Sequence, residues 1–167
     1  MTEAVVHPDG RVVFAGQTVR AALGRGGVRA HADKREGDGA TPSGLLAIRR
    51  VLYRADRLAP PVAAVPIEPI APEDGWCDDP SHPDYNRMVR LPHSARHEAL
   101  WRQDALYDLI GVLGWNDAPV ERGRGSAIFL HVARADGAPT EGCIALAKPD
   151  LCKLLAAGIT ALAVRGA

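Results

Sequence analysis

Gly125-Ser126-Ala127-Ile128-Phe129-Leu130-His131 is an apolar run that ends on a histidine. Twelve positions beyond that histidine, Pro139-Thr140-Glu141-Gly142-Cys143 leads into Ile144-Ala145-Leu146. The run at residues 126–132 is too short for an independent helix and rich in strand formers, so it reads as a strand that carries an imidazole to its end. The second stretch reads as a glycine turn that presents a thiol and then rejoins a sheet. A thiol becomes a nucleophile near neutral pH only beside a base or a cation, and a strand with a neighbouring turn can supply both parts.

Working outward, short apolar runs recur between glycine and proline breaks. Val12-Val13-Phe14, a break at Ala15-Gly16, and Gln17-Thr18-Val19-Arg20 read as a hairpin. Residues 28–32, 45–53, 105–115, 144–147 and 159–164 read as further strands. Residues 34–44 form a long turn. Residues 59–72 are proline-rich and so an extended edge or loop, because proline donates nothing to a sheet ladder. Residues 75–92 are polar and broken, with embedded aromatics, and read as an irregular loop of the kind that often carries function. Residues 149–157 read as a helix, with Pro149 and Asp150 suited to its first turn and Gly158 to its stop. Many short strands with one or two short helices predict a single, mainly β domain of sandwich type over residues 1–167.

The chain has 167 residues, enough for one sizeable core. Its zero formal net charge shows no footprint for nucleic acid, and 5% aromatic residues are too few for base-stacking platforms. No apolar run is long enough for a membrane span. The first residues lack the basic start and apolar core of a secretory signal, so the expected location is cytoplasmic, or periplasmic if a leader precedes Met1. Three cysteines, Cys77, Cys143 and Cys152, cannot all pair within one chain, which suits free thiols.

For Cys143 two readings stand side by side, a small buried hydrophobe and a nucleophile whose turn amides converge on an oxyanion. His131 is likewise either a satisfied structural histidine or a base. A zinc site is not supported by the cysteine spacing, because the three cysteines lie far apart and form no Cys-x-x-Cys pair. Cys152 is expected on the apolar side of the last helix. Cys77 is expected in the polar loop, exposed near the site. Asp104 and Asp108 read as surface or turn groups around Tyr107.

These residues carry a resemblance. His131 followed by Thr140-Glu141-Gly142-Cys143 resembles the Ser/Thr-x-Gly-Cys signature of the L,D-transpeptidase catalytic domain (YkuD) family. Glu36-Gly37-Asp38-Gly39-Ala40-Thr41-Pro42-Ser43-Gly44 is similar to that family's early Gly-Asp-x-x-Thr-Pro-x-Gly segment. Trp76-Cys77-Asp78-Asp79 with Tyr85-Asn86 is similar to a segment of its short, single-domain branch. Any one block alone is weak, but three in the right order are specific. Three positions depart from the family pattern: Ala145 stands where many members have Arg, Glu141 where many have His, and Val132 where many have Gly.

The resemblance implies a mainly β fold and a cysteine acyl-transfer enzyme of peptidoglycan stem peptides or muropeptides, with no metal or organic cofactor. Carried over to this chain, it makes Cys143 the nucleophile and His131 its base. The amides of Gly142 and Cys143 would hold the oxyanion, and Thr140 would brace the turn. The expected reaction cleaves the bond between the L-centre of diaminopimelate and D-Ala. Water as acceptor makes an L,D-carboxypeptidase, a stem amine makes a cross-linking transpeptidase, and a non-catalytic fragment-binding domain is the remaining alternative. Expected substrate contacts are Trp76 and Tyr85 as groove walls, Asn86 and Arg87 beside them, and Arg134 after the catalytic strand, with Lys34 as a further cation.

Overall fold

A computed structural model describes the whole chain, Met1–Ala167. Fourteen strands and one α-helix follow in order: β1 Glu3–Val6, β2 Arg11–Phe14, β3 Gln17–Ala22, β4 Val28–Arg29, β5 Thr41–Pro42, β6 Gly44–Tyr53, β7 Ile67–Pro69, β8 Asp74–Cys77, β9 Met88–Arg90, β10 His97–Ala99, β11 Leu109–Leu113, β12 Phe129–Val132, β13 Ile144–Leu146, α1 Lys148–Ala156 and β14 Ala161–Val164. A 3-10 turn at His31–Asp33 stands between β4 and β5.

Two long strands make the sandwich. In β6, residues 44–47 pair with β14 and residues 48–53 pair with β11. In β3, residues 17–20 pair with β2 and residues 21–22 with β13. One layer is therefore β3-β2-β1-β14-β6 and the other β6-β11-β12-β13-β3, joined at both flanks by shared strands, with β7 added alongside β6. The core lies between them. Ala4, Val6, Val12, Phe14 and Leu162 enter from the first layer, and Leu109, Leu130, Val132, Ile144 and Leu146 from the second. Strand alternation explains the choice, since β1 and β2 each bury every second residue.

The second layer is covered on its outer face as well. There Leu52, Trp76, Leu100, Tyr107, Ile110, Val112 and Phe129 form a second apolar cluster that includes Cys143. It packs beneath a small sheet of order β10-β8-β9. Strands covered on both faces read as continuous apolar runs, which is why all four residues of β12 are buried. Helix α1 inserts Leu151, Leu154 and Leu155 into the main core, the i, i+3, i+4 stripe of an amphipathic helix, and stops at Gly158 with φ 80°. No helix is long and apolar enough to cross a membrane.

Several expectations need correction. Residues 75–92 are not an unbroken loop, because β8 and β9 pair through Asp74↔Arg90, Gly75↔Val89 and Trp76↔Met88. The predicted strand at 105–115 shrinks to β11, since Asp108 N–H bonds Ala105 O at 3.1 Å and closes a turn ahead of it. The predicted strand at 126–132 begins only at Phe129, after Ala127 takes a positive φ of 52°. Cys152 is exposed and Cys77 fully buried, the reverse of the sequence expectation. Helical geometry puts residue 152 about 100° round from Leu151, off the buried stripe. Cys77 faces Val89 and Ala95 inside the small sheet.

Candidate active site

Strands β12 and β13 run parallel, with Leu130 opposite Ile144 and His131 opposite Ala145. Alternation then places Phe129, His131, Ala145 and Cys143 on one face, the face under the small sheet, while Leu130, Val132, Ile144 and Leu146 point into the main core. The strand pairing thus carries the histidine and the thiol to the same side of the second layer. Both are buried, His131 at 5% and Cys143 at 9% exposure.

The imidazole has a fixed tautomer. His131 Nδ1 lies 2.8 Å from Val132 O, and a carbonyl only accepts, so Nδ1 carries the proton and Nε2 keeps its lone pair. Burial lowers the His131 pKa from its ordinary 6.5, aided by the charges of Arg102 and Arg134 and opposed by the Val132 carbonyl. Tyr107 meets the ring edge-on with centroids 5.4 Å apart. The thiol donates to Ala127 O at 3.3 Å and accepts from Phe129 N–H at 3.4 Å. Burial and the Glu98 carboxylate push it up to about 12, against a smaller opposing effect of the Phe129 amide. Both shifts favour the uncharged forms, and the thiol's hydrogen bond goes to Ala127 O rather than to the imidazole.

The turn before Cys143 is held from within and from below. Thr140 Oγ1 donates to Cys143 O at 2.7 Å and accepts from Gly142 N–H at 3.1 Å. Thr140 N–H bonds Leu23 O at 2.9 Å, and Arg25 N–H bonds Thr140 O at 2.7 Å. Gly142 has φ 137°, and a Cβ there would lie 2.8 Å from Ala40 O. One expectation changes here. The Gly142 amide is engaged by Thr140, so only the Cys143 N–H, which donates to no protein acceptor, is free to meet an oxyanion.

The segment at residues 34–44 explains how the turn is supported. Lys34 is 2% exposed, and its ammonium donates to Asp38 Oδ1 at 2.7 Å and to Arg35 O at 2.8 Å. Asp38 also accepts from the amides of Arg35 and Ala40 at 2.8 and 2.9 Å. Burial alone would raise its carboxyl, but the Lys34 hydrogen bond and these amides lower it below 3.8. Lys34 is thus a structural cation rather than an open one. Thr41 Oγ1 accepts from Gly24 N–H at 2.9 Å, which fixes the strip against which Thr140 lies.

A cavity of about 450 Å³ opens over the thiol, and His131, Thr140, Cys143 and Arg134 line it. Sequence reasoning missed four other lining groups, His97, Glu98, Arg102 and Tyr107. They arrive through tertiary pairing, with Glu98 opposite Trp76 in β10–β8, and no local motif marks them. Four expected substrate contacts lie elsewhere. Tyr85 is 1% exposed; its hydroxyl donates to Glu36 Oε1 at 2.7 Å and accepts from Gly125 N–H at 3.0 Å. Asn86 Oδ1 accepts from Trp76 Nε1 at 3.0 Å and Ala127 N–H at 3.1 Å, while its amide donates to Trp115 O and Asn116 O. Trp76, Asn86 and Arg87 border a different cavity. Tyr85 and Asn86 therefore set the backbone that leads into β12, including the Ala127 carbonyl that holds the thiol.

Asp108, expected at the surface, is 4% exposed and pairs with Arg57 at 2.8 Å and Lys148 at 3.1 Å. His82, Asp84 and His93 place potential ligand atoms within 4.8 Å of one another, but none of the three lines the cysteine cavity.

No curated protein matches this chain. Residues 2–157 match the family described as the L,D-transpeptidase catalytic domain, YkuD. With a family match over most of its length, a mainly β sandwich, and a thiol in the turn that enters the strand parallel to that of the imidazole, the chain belongs to the L,D-transpeptidase catalytic domain (YkuD) family.

Proposed function

We propose that this protein is an L,D-carboxypeptidase, which cleaves D-Ala from the L-centre of diaminopimelate in a peptidoglycan stem tetrapeptide through a Cys143 thioester. The observation that carries the reading is the pairing of β12 with β13, which delivers Cys143 and a His131 with a free Nε2 lone pair to one cavity. As the scissile carbonyl enters, the sulfur attacks its carbon and His131 Nε2 takes the thiol proton. The Cys143 N–H stabilises the oxyanion. Collapse breaks the C–N bond, and the imidazolium returns its proton to the departing D-Ala amine. Water then attacks the thioester, His131 accepts a proton from it, and the thiol is restored with release of the tripeptide.

Water as acceptor is favoured by the shape of the site. Cys143 and His131 border a cavity of about 450 Å³, the size that holds one small ligand, and neither residue lines the other principal cavities. A cross-linking acceptor needs a second peptide path to the thioester. The test incubates the protein with a disaccharide tetrapeptide and follows products by mass. Tripeptide and free alanine are expected, and Cys143→Ala should give neither. A cross-linked dimer would replace the hydrolytic reading with transpeptidation, and unchanged substrate with folded native protein would contradict both.

A further inference from the structure

The cavity holds five ionised groups besides its histidines, and three of them are neutralised by neighbours. Asp78 pairs with Arg96 at 3.1 Å, Arg102 with Asp104 at 2.6 Å, and Glu141 with Arg25 at 2.9 Å. Glu98 and Arg134 are left over. Glu98 is partly buried on β10, and its only hydrogen-bond partner is the Tyr107 hydroxyl. Arg134 is exposed at the rim, where it makes no ion pair. One cavity thus offers one unneutralised carboxylate and one unneutralised guanidinium.

Retaining a half-desolvated carboxylate beside a nucleophilic thiol is costly. Glu98 opposes ionisation of Cys143, and its own carboxyl is pushed up, chiefly by burial, against the Tyr107 hydrogen bond. A negative charge that hinders the nucleophile gains a purpose if a cation arrives with the substrate. A positive charge at the same cavity asks for an anion. The two together match the zwitterion of a free α-amino acid end-group.

Resting on the carboxypeptidase reading above, we infer that Glu98 and Arg134 form a specificity site for the side chain of the donor residue. Glu98 receives the ammonium and Arg134 the carboxylate of a third residue that ends in a free α-amino acid group. Tyr107 is a positioning residue, because its hydroxyl holds Glu98 in the cavity. A charge-assisted hydrogen bond of this kind is worth about 1.5–3 kcal/mol. Each contact should therefore change kcat/KM by roughly 10- to 100-fold. The effect should fall mainly on KM, since the contacts are made before and during reaction alike.

The experiment measures D-Ala release by the full chain from three tetrapeptides: one with free meso-diaminopimelate at the third position, one with its side-chain amine acetylated, and one with its side-chain carboxyl amidated. Native protein should prefer the free form over each derivative by roughly 10- to 100-fold. Glu98→Gln should lose most of the preference for the free-amine substrate over the acetylated one. Arg134→Gln, at an exposed position that does not endanger folding, should lose most of the preference for the free-carboxyl substrate over the amidated one. Equal losses on all substrates, or native protein indifferent to both derivatives, overturn the specificity site while leaving the hydrolytic reading in place. D-Ala release from none of the three by folded protein contradicts the hydrolytic reading, and this inference falls with it.

Discussion

Replacing Thr140 with Val keeps the shape of the side chain and removes its hydroxyl. That hydroxyl donates to Cys143 O at 2.7 Å and accepts from Gly142 N–H at 3.1 Å, so one substitution breaks two bonds inside a four-residue turn. At about 0.5–1.5 kcal/mol for each bond, the loss in stability is about 1–3 kcal/mol. For a domain of this size each kcal/mol lowers Tm by roughly 2–4 °C, so a drop near 5 °C is expected by calorimetry or circular dichroism. The kinetic effect should be larger than the stability effect suggests. The same turn carries both the nucleophile and the free Cys143 N–H, and a displacement of about 1 Å at a reacting centre costs up to 10²-fold. Acyl-enzyme formation from the stem tetrapeptide, quenched at short times and followed by intact mass, reads that step alone. Thr140→Ser, which keeps both bonds, should acylate within a few-fold of native. If Val acylates as fast as native, or Ser fails as badly as Val, the hydroxyl does not hold the nucleophile in place and the argument from the turn is wrong.

Gly142→Ala should cost on the order of 3 kcal/mol in urea unfolding, because φ 137° disfavours a side chain and the new Cβ would sit 2.8 Å from the Ala40 carbonyl oxygen. Asp38→Asn should cost about 3–5 kcal/mol, because it leaves the ammonium of Lys34, 2% exposed, without its charge partner. The native Asp38 carboxyl is held below its ordinary 3.8, so its contribution is present above that pH and is lost as pH falls through the depressed value. His131 must be neutral to act as base and its pKa is lowered from 6.5, so kcat/KM should be level at neutral pH and fall only below pH 6.5. A thiol near 12 adds no inflection between pH 7 and 9, and an alkaline rise there would show a thiolate mechanism instead. Iodoacetamide at pH 7.5 should label exposed Cys152 first, with Cys77 protected until unfolding, as peptide mapping will check.

The parts of the site written in neighbouring residues were readable before the fold. A buried strand ending at His131 and a Thr-x-Gly-Cys turn each have a local signature, and alternation along β13 follows from Ile144-Ala145-Leu146. Gly158 announced the end of α1, and β6 was legible almost to the residue. What escaped was built by pairing across long sequence separations. Glu98 reaches the cavity because β10 sits against β8, and three-residue strands leave almost no periodicity to read. Trp76, Tyr85 and Asn86 stood out as polar-loop aromatics and amides, yet Tyr85 and Asn86 hold the backbone around residues 115–127, and Trp76 donates to Asn86. The sequence spacing could not separate holding a substrate from holding the strand that holds the catalyst. Ala127 belongs with them, since a non-glycine residue at φ 52° has no compositional mark.

The central claim is that Cys143, activated by His131, carries the acyl group. Its most direct measurement is mass spectrometry of protein quenched during turnover of the stem tetrapeptide, with peptide mapping of the adduct. The account predicts a tripeptidyl thioester on Cys143, absent from Cys143→Ala and much slower to form in His131→Gln. An adduct on Cys152 alone, or D-Ala release that survives Cys143→Ala, would contradict it.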